Sequence, residues 1–185
     1  MKFIPTGLAD AYVVELEPHH DERGFFARMF CAEEFEAHGL APAVKQGNVS
    51  FNHRRGTLRG MHFQRPPAAE TKYIRCLRGA IYDAIIDLRP DSPTYLRSFG
   101  VELSADNRVG LYVPQMFGHG YLTLTDGAEV SYLVSEFYTP GVEGGLRYDD
   151  PVLDVAWPVD VEVISEKDAG WPAFDAAPAA GDARA

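Results

Sequence analysis

Short runs of β-branched and aromatic residues recur along this chain with turn residues between them, and that pattern limits the fold more than any other feature. The runs fall at 11–16, 25–30, 72–78, 80–88, 98–103, 109–113, 120–125 and 129–135. Turn formers stand between most of them: Arg23-Gly24, Arg89-Pro90-Asp91-Ser92-Pro93, Ala105-Asp106-Asn107, Thr125-Asp126-Gly127 and Thr139-Pro140-Gly141. Many short strands with almost no helical periodicity predict an all-β sandwich or barrel. One segment, 32–38, reads as helix stopped by Gly39, with Phe35 docked on the barrel and the glutamates facing water. The 185 residues suit a single domain, 1–185, without internal repeats or an interdomain linker. The Ala/Pro/Gly-rich end, 175–185, reads as a frayed tail.

Charge and cysteine usage narrow the function classes. A formal net charge of −10 opposes nonspecific binding to nucleic acid or to an anionic membrane. It does not oppose an anionic small molecule, because a few local arginines can overrule the global sign. Cys31 and Cys76 are too few for a disulfide framework and lack CxxC spacing, so both read as reduced thiols. The first residues lack a charged start followed by an apolar run, and no stretch is long and apolar enough for a bilayer. A cytoplasmic protein is expected.

The densest cluster of chemically useful residues is Arg59-Gly60-Met61-His62-Phe63-Gln64. On an ideal strand His62 and Gln64 share one face while Arg59 falls on the other, with Met61 and Phe63. Arg59 and His62 can therefore share a pocket only through a bulge or at a strand end. His62 has company that only a closed β fold could gather: His119, Lys72 and Tyr132. Metal-binding cupins carry H-x-H here, and this chain has His62-Phe63-Gln64, whose neutral amide is a poor ligand for zinc or iron. His19-His20 precedes an Asp21–Gly24 turn and reads as a solvated loop. No G-x-S-x-G elbow is present, and Gly144-Gly145 and Gly118-His119-Gly120 do not form a nucleotide-phosphate loop.

A run of motifs then carries a resemblance. Asp21-Glu22-Arg23-Gly24-Phe25-Phe26, Gln46-Gly47-Asn48-Val49-Ser50, 56–64, 80–89, Ser92-Pro93-Thr94-Tyr95, 103–107, Phe117-Gly118-His119-Gly120, Tyr148-Asp149-Asp150-Pro151 and Ser165-Glu166-Lys167-Asp168 follow one another in order. Together they make the chain similar to the dTDP-4-dehydrorhamnose 3,5-epimerase family over nearly its whole length, residues 3 to 174. The resemblance implies a double-stranded β-helix (cupin) barrel with short flanking helices, a homodimer, and neither metal nor redox cofactor. It implies His62 as catalytic base with Asp168 orienting it, Lys72 at the substrate's C4 oxygen, and Tyr132 as the acid on the opposite face. Arg23, Phe26, Gln46, Asn48, Arg59, His119, Tyr138, Glu143 and Lys167 fall on positions that hold a nucleotide-diphosphate sugar.

The chemistry fits these residue types. A proton α to a ketone is too weakly acidic for unaided imidazole, so a cation must stabilise the developing enolate. A carboxylate fixes the tautomer of the imidazole, and inversion needs a donor on the other face of the carbon. Two departures from the family pattern stand out: Arg28 where relatives have glutamate, and Glu70 where they have glutamine before Thr71-Lys72. The expected activity is inversion of C3, C5 or both in a nucleotide-linked 4-keto-6-deoxyhexose. The alternatives are a 3,4-ketoisomerase on the same substrate class and a non-catalytic sugar-binding cupin.

Overall fold

Alternation along the strands fixes the architecture of the computed structural model, which describes residues 1–174. The expected tail, 175–185, lies outside the described residues. In chain order the strands are β1 (Lys2–Pro5), β2 (Tyr12–Glu15), β3 (His19–Asp21), β4 (Gly24–Phe26), β5 (Gln46–Asn52), β6 (Leu58–Gln64) and β7 (Lys72–Arg78). They continue as β8 (Ala80–Asp87), β9 (Ser98–Ser104), β10 (Gly110–Val113), β11 (Phe117–Thr123), β12 (Ala128–Val134) and β13 (Glu143–Gly145). Two short helices, α1 (Ala32–Ala37) and α2 (Glu166–Ala169), flank them.

Two antiparallel sheets face each other as the double-stranded β-helix barrel. One runs β1-β2-β10-β7-β12-β5, the other β13-β6-β11-β8-β9. Residues two apart on a strand share a face, so Ile74 and Cys76 of β7 meet Ile81 and Ile85 of β8 between the sheets. Leu103, Leu111, Phe117 and Val130 complete that inner layer. The outer faces are covered too. Val14, Tyr73 and Tyr112 lie under Phe35 of α1, and Met61, Ala84 and Ile86 lie under Leu146 and Leu153. Double coverage explains why β8 reads as a nearly continuous apolar run rather than an alternating one. Both cysteines are free, and burial pushes the Cys76 thiol up to about 11.

The expected runs are present with shifted ends. The 25–30 run is strand only at Gly24–Phe26, and the 120–125 run starts earlier, at Phe117. His19-His20 is not a loop: it forms β3, which pairs with β4 as an exposed hairpin. The expected helix holds, with Phe35 buried and Gly39 at a positive φ of 73°. β1, β5 and β13 carried no strand signal strong enough to be read.

The bulge that Arg59 requires lies between β6 and β11. His62 pairs with His119 and Arg59 pairs with Tyr121, so three steps on β6 match two on β11. An extra residue in one strand flips the subsequent alternation. Arg59 thereby joins His62 and Gln64 on the inner face. Gly60 occupies the bulge at φ 131°, and a Cβ there would run into the Gly120 Cα, with the His119 carbonyl oxygen 2.9 Å away. Gly60→Ala should therefore lose roughly 2–4 kcal/mol in urea unfolding, combining backbone strain with a backbone clash. Gly24→Ala has a comparable φ of 130° but nothing within 4 Å. It should lose only about 1–2 kcal/mol.

Candidate active site

At one end of the barrel the inner faces turn polar and surround a cavity of about 420 Å³. The five-stranded sheet contributes Arg59, His62 and Gln64 from β6 and His119 and Tyr121 from β11. The other sheet contributes Gln46, Asn48 and Ser50 from β5, Lys72 from β7, and Tyr132 and Val134 from β12. Glu70, Tyr138, Glu143, Asp168 and Phe63 complete the wall.

Asp168 reaches the cavity through α2. Ser165 caps that helix, its hydroxyl accepting the Asp168 N–H at 3.1 Å. The Asp168 carboxylate, nearly buried, meets His62 Nε2 at 2.6 Å through Oδ1 and accepts the Gly60 N–H at 3.2 Å through Oδ2. Burial by itself would raise the Asp168 pKa. The hydrogen bond from His62, its charge and the Gly60 N–H outweigh burial and hold the carboxyl below its ordinary value. A carboxylate can only accept, so in the neutral imidazole Nε2 of His62 carries the proton and the lone pair is left on Nδ1. That is the protonation pattern of an imidazole base.

Lys72 and Tyr132 enter from the sheet facing His62. Lys72 Nζ lies 3.3 Å from the carbonyl oxygen of His62 and 3.3 Å from Glu70 Oε1. Burial raises the Tyr132 pKa above its usual value, with nearby Tyr121 and Glu70 adding to it and Arg59 opposing, so the phenol stays protonated at neutral pH. Arg59 is steadied by Asn52, whose Oδ1 accepts from Nε at 2.8 Å. His119 Nε2 meets the buried Asp83 carboxylate at 2.6 Å, a second histidine–aspartate pair in the same cavity.

Ten of the expected residues thus converge on one cavity: His62, Tyr132, Lys72, Asp168, Gln46, Asn48, Arg59, His119, Tyr138 and Glu143. Lys167 stands at the rim and holds Glu143 through a 2.8 Å ion pair. Arg23 and Phe26 do not line the cavity of their own chain. Arg23 sits in the β3–β4 turn, bonded to Asp21, and Phe26 is 73% exposed. Arg28 also lies elsewhere, 3.3 Å from Glu34 of α1.

Ser50 and Tyr121 were missed although strand period announces both, each falling two residues from an expected site residue. Gln64, at the H-x-H position, spends its amide on neighbours: Oε1 accepts from Thr139 N, and Nε2 faces the carbonyls of Ala68 and Phe137 and the Glu70 carboxylate.

Residues 5–176 match the family model described as dTDP-4-dehydrorhamnose 3,5-epimerase. The chain belongs to this family. The dTDP-4-dehydrorhamnose 3,5-epimerase of Methanothermobacter thermautotrophicus is 42% identical over 92% of this chain and 92% of that relative. The crystal structure of the Bacillus anthracis dTDP-4-dehydrorhamnose 3,5-epimerase, with TDP and pyrophosphate bound, is 41% identical at a TM-score of 0.89. It covers 94% of this chain and 99% of that one. A 3′-monoepimerase from Streptomyces bikiniensis, in complex with dTDP-quinovose, is 37% identical at a TM-score of 0.83, covering 91% of this chain and 86% of that one. No helix among the described residues is long and apolar enough to cross a membrane.

The Asp168 contacts also carry stability. Asp168→Asn should cost roughly 1–3 kcal/mol at pH 7, the range for hydrogen bonds to a buried charged group. Because the folded carboxyl titrates below the unfolded one, its contribution is fully present above the ordinary carboxylate pKa of about 4 and fades as the pH falls through the lower folded value. Denaturant unfolding at pH 7 and pH 3 should show the gap between wild type and variant narrowing at the lower pH.

Proposed function

We propose that this protein epimerises a dTDP-linked 4-keto-6-deoxyhexose at C3, at C5 or at both, acting as a single domain through an enolate. The observation that carries this reading is the pairing of His62 of one sheet with Asp168 of α2, facing Tyr132 and Lys72 on the other sheet. Nδ1 of His62 takes the α proton. The C4 oxygen gains negative charge as the C–H bond breaks, and Lys72 donates a hydrogen bond to it. Tyr132 then returns a proton from the opposite side, which inverts the centre. A sugar-binding cupin would need no acid and base on opposing walls. A 3,4-ketoisomerase would move the carbonyl rather than invert a neighbour.

The nucleotide diphosphate falls to Arg59, whose planar fork suits phosphate oxygens. His119, Gln46 and Asn48 lie alongside it on the cavity wall, and Tyr138, Glu143 and Lys167 stand around the opening. Arg23 and Phe26 retain a binding role only in a homodimer, with each hairpin reaching the site of the partner. Two features support a dimer: Phe26 is exposed on that hairpin, and Val49 and Phe51 are exposed on the edge strand β5.

Three outcomes test the reading. His62→Asn should lower turnover by about 10²–10⁴-fold with the fold intact, as loss of a general base does. In heavy water, wild type should wash deuterium into C3, C5 or both, and mass spectrometry with NMR of the product reports which centres are inverted. Tyr132→Phe should separate the two events: His62 still removes and returns a proton on one face, so exchange continues while inversion fails. Equal loss of both rates would remove Tyr132 from the acid role. For the dimer, Arg23→Ala and His62→Asn chains, each inactive alone, should recover about a quarter of wild-type activity on mixing. Half the dimers are then hybrids carrying one intact composite site.

A further inference from the structure

We infer that Glu70 is a positioning residue for this reaction, holding the Lys72 ammonium through an ion pair while it keeps N–H donors for the carbonyl oxygen of the substrate. The inference rests on the proposed role of Lys72. Lysine ends in a compact charge on a flexible four-carbon stem, so an oxyanion donor built from it needs anchoring. An ammonium has three N–H donors. Here one donates to the His62 carbonyl oxygen at 3.3 Å, and Glu70 Oε1 forms an ion pair with Nζ at 3.3 Å. N–H donors remain for a substrate oxygen.

Both partners of the ammonium are themselves held. The His62 carbonyl belongs to β6, the strand that carries the base. The α carbon and the carbonyl carbon of the substrate are bonded neighbours, so the base and the oxyanion donor must also be neighbours. Glu70 is held through its other oxygen, which accepts from Gln64 Nε2 at 3.1 Å. The orientation of Gln64 has one solution. Its Oε1 accepts the Thr139 N–H at 2.8 Å, and its Nε2 faces the Ala68 and Phe137 carbonyls at 3.1 and 3.2 Å. A flipped amide would oppose donor to donor and oxygen to three acceptors. The Lys72 and Glu70 side chains are only 11% and 12% exposed, so water competes weakly for either.

Charge and position pull in opposite directions at Glu70. A carboxylate beside the oxyanion donor weakens the field of that donor, so on electrostatics alone its removal would speed the reaction. On positioning, its removal frees the ammonium and slows the reaction, as misplacing a catalytic group does. Glu70→Gln removes the charge and keeps one amide oxygen that can still accept from Lys72, while Gln64 Nε2 retains the Ala68 and Phe137 carbonyls. Glu70→Leu removes both.

The test measures solvent deuterium wash-in on a saturating dTDP-linked 4-keto-6-deoxyhexose, in wild-type and Lys72→Met backgrounds, each with Glu70→Gln and Glu70→Leu. In wild type, Glu70→Leu should lower kcat by about 10–100-fold with KM changed less than about threefold, and Glu70→Gln should keep at least about a third of the rate. In Lys72→Met, Glu70→Leu should cause no further loss, since its effect passes through the absent ammonium. The same loss in both backgrounds, no loss in wild type, or equal losses for Gln and Leu would overturn the inference. If Glu70→Leu does not fold, Glu70→Ala takes its place under the same criteria, because it leaves room for water to solvate the Lys72 charge. A wild type that shows no wash-in at all would overturn the proposed function itself.

Discussion

The active site depends on one carboxylate joined to two places on one strand. Asp168 accepts from the backbone of Gly60 and meets the ring of His62, two residues later on β6. The first contact holds the bulge that turns Arg59 inward. The second orients the imidazole and selects its tautomer. Neither works unless α2 delivers Asp168 to the cavity, and Ser165 does so by capping its first turn. The C-terminal segment also pairs with the start of β6, where the Leu58 N–H donates to the Val163 carbonyl at 2.8 Å. A four-residue helix has negligible stability of its own, so it exists because these tertiary contacts fix it. Strand geometry and catalytic geometry at this end of the barrel are therefore one structural problem.

The barrel interior is divided along its length. Toward one end the inward residues are Ile74, Cys76, Ile81 and Ile85, and they form a dry layer between the sheets. Two residues before Ile74 on β7 lies Lys72, and across on β11 lies His119, both on the cavity wall, while Asp83 sits between Ile81 and Ile85 on β8 and pairs with His119. The apolar layer makes the sheets rigid, and the polar positions inherit that rigidity. Burying so many ionisable groups is tolerable because most are paired. Asp83 faces His119, Asp168 faces His62, and Glu70 faces Lys72. Buried charges without partners would cost several kcal/mol each.

How much of this was legible in the sequence follows the same division. Strands whose inner residues join the apolar layer, such as β7 and β8, announce themselves through Ile, Val, Leu and Tyr. β5, Gln-Gly-Asn-Val-Ser-Phe-Asn, carries no such signal. Its inward positions, Gln46, Asn48 and Ser50, line the cavity, so the apolar half of the alternation is missing or points outward. The pocket itself erases the signal. The bulge could be stated only as a requirement: strand period put Arg59 on the wrong face, and only the β6–β11 register shows how the chain corrects it. Arg23 and Phe26 mark the other limit. Their motif is plain in the sequence, yet nothing in a single chain says which cavity a hairpin serves.

Charge pairing also gives the cavity a direction. Among its charged lining groups, Glu70, Glu143 and Asp168 each have a cationic or imidazole partner within 3.3 Å. The ammonium of Lys72 is shared with Glu70. Arg59 is different: its partners among the described residues are the Asn52 side chain and the Phe51 carbonyl, both uncharged. Among the described residues its positive charge is thus the one on the cavity wall that no carboxylate offsets, in a chain whose net charge is −10. Under the proposed function, a diphosphate approaching this acidic protein would find its favourable potential at Arg59, and low-dielectric walls would focus that field into the cavity. The linked sugar would then take the rest of the cavity, which His62, Lys72 and Tyr132 line. In that arrangement, binding energy gathered by the nucleotide would serve to hold a weakly acidic carbon between the proposed base and acid.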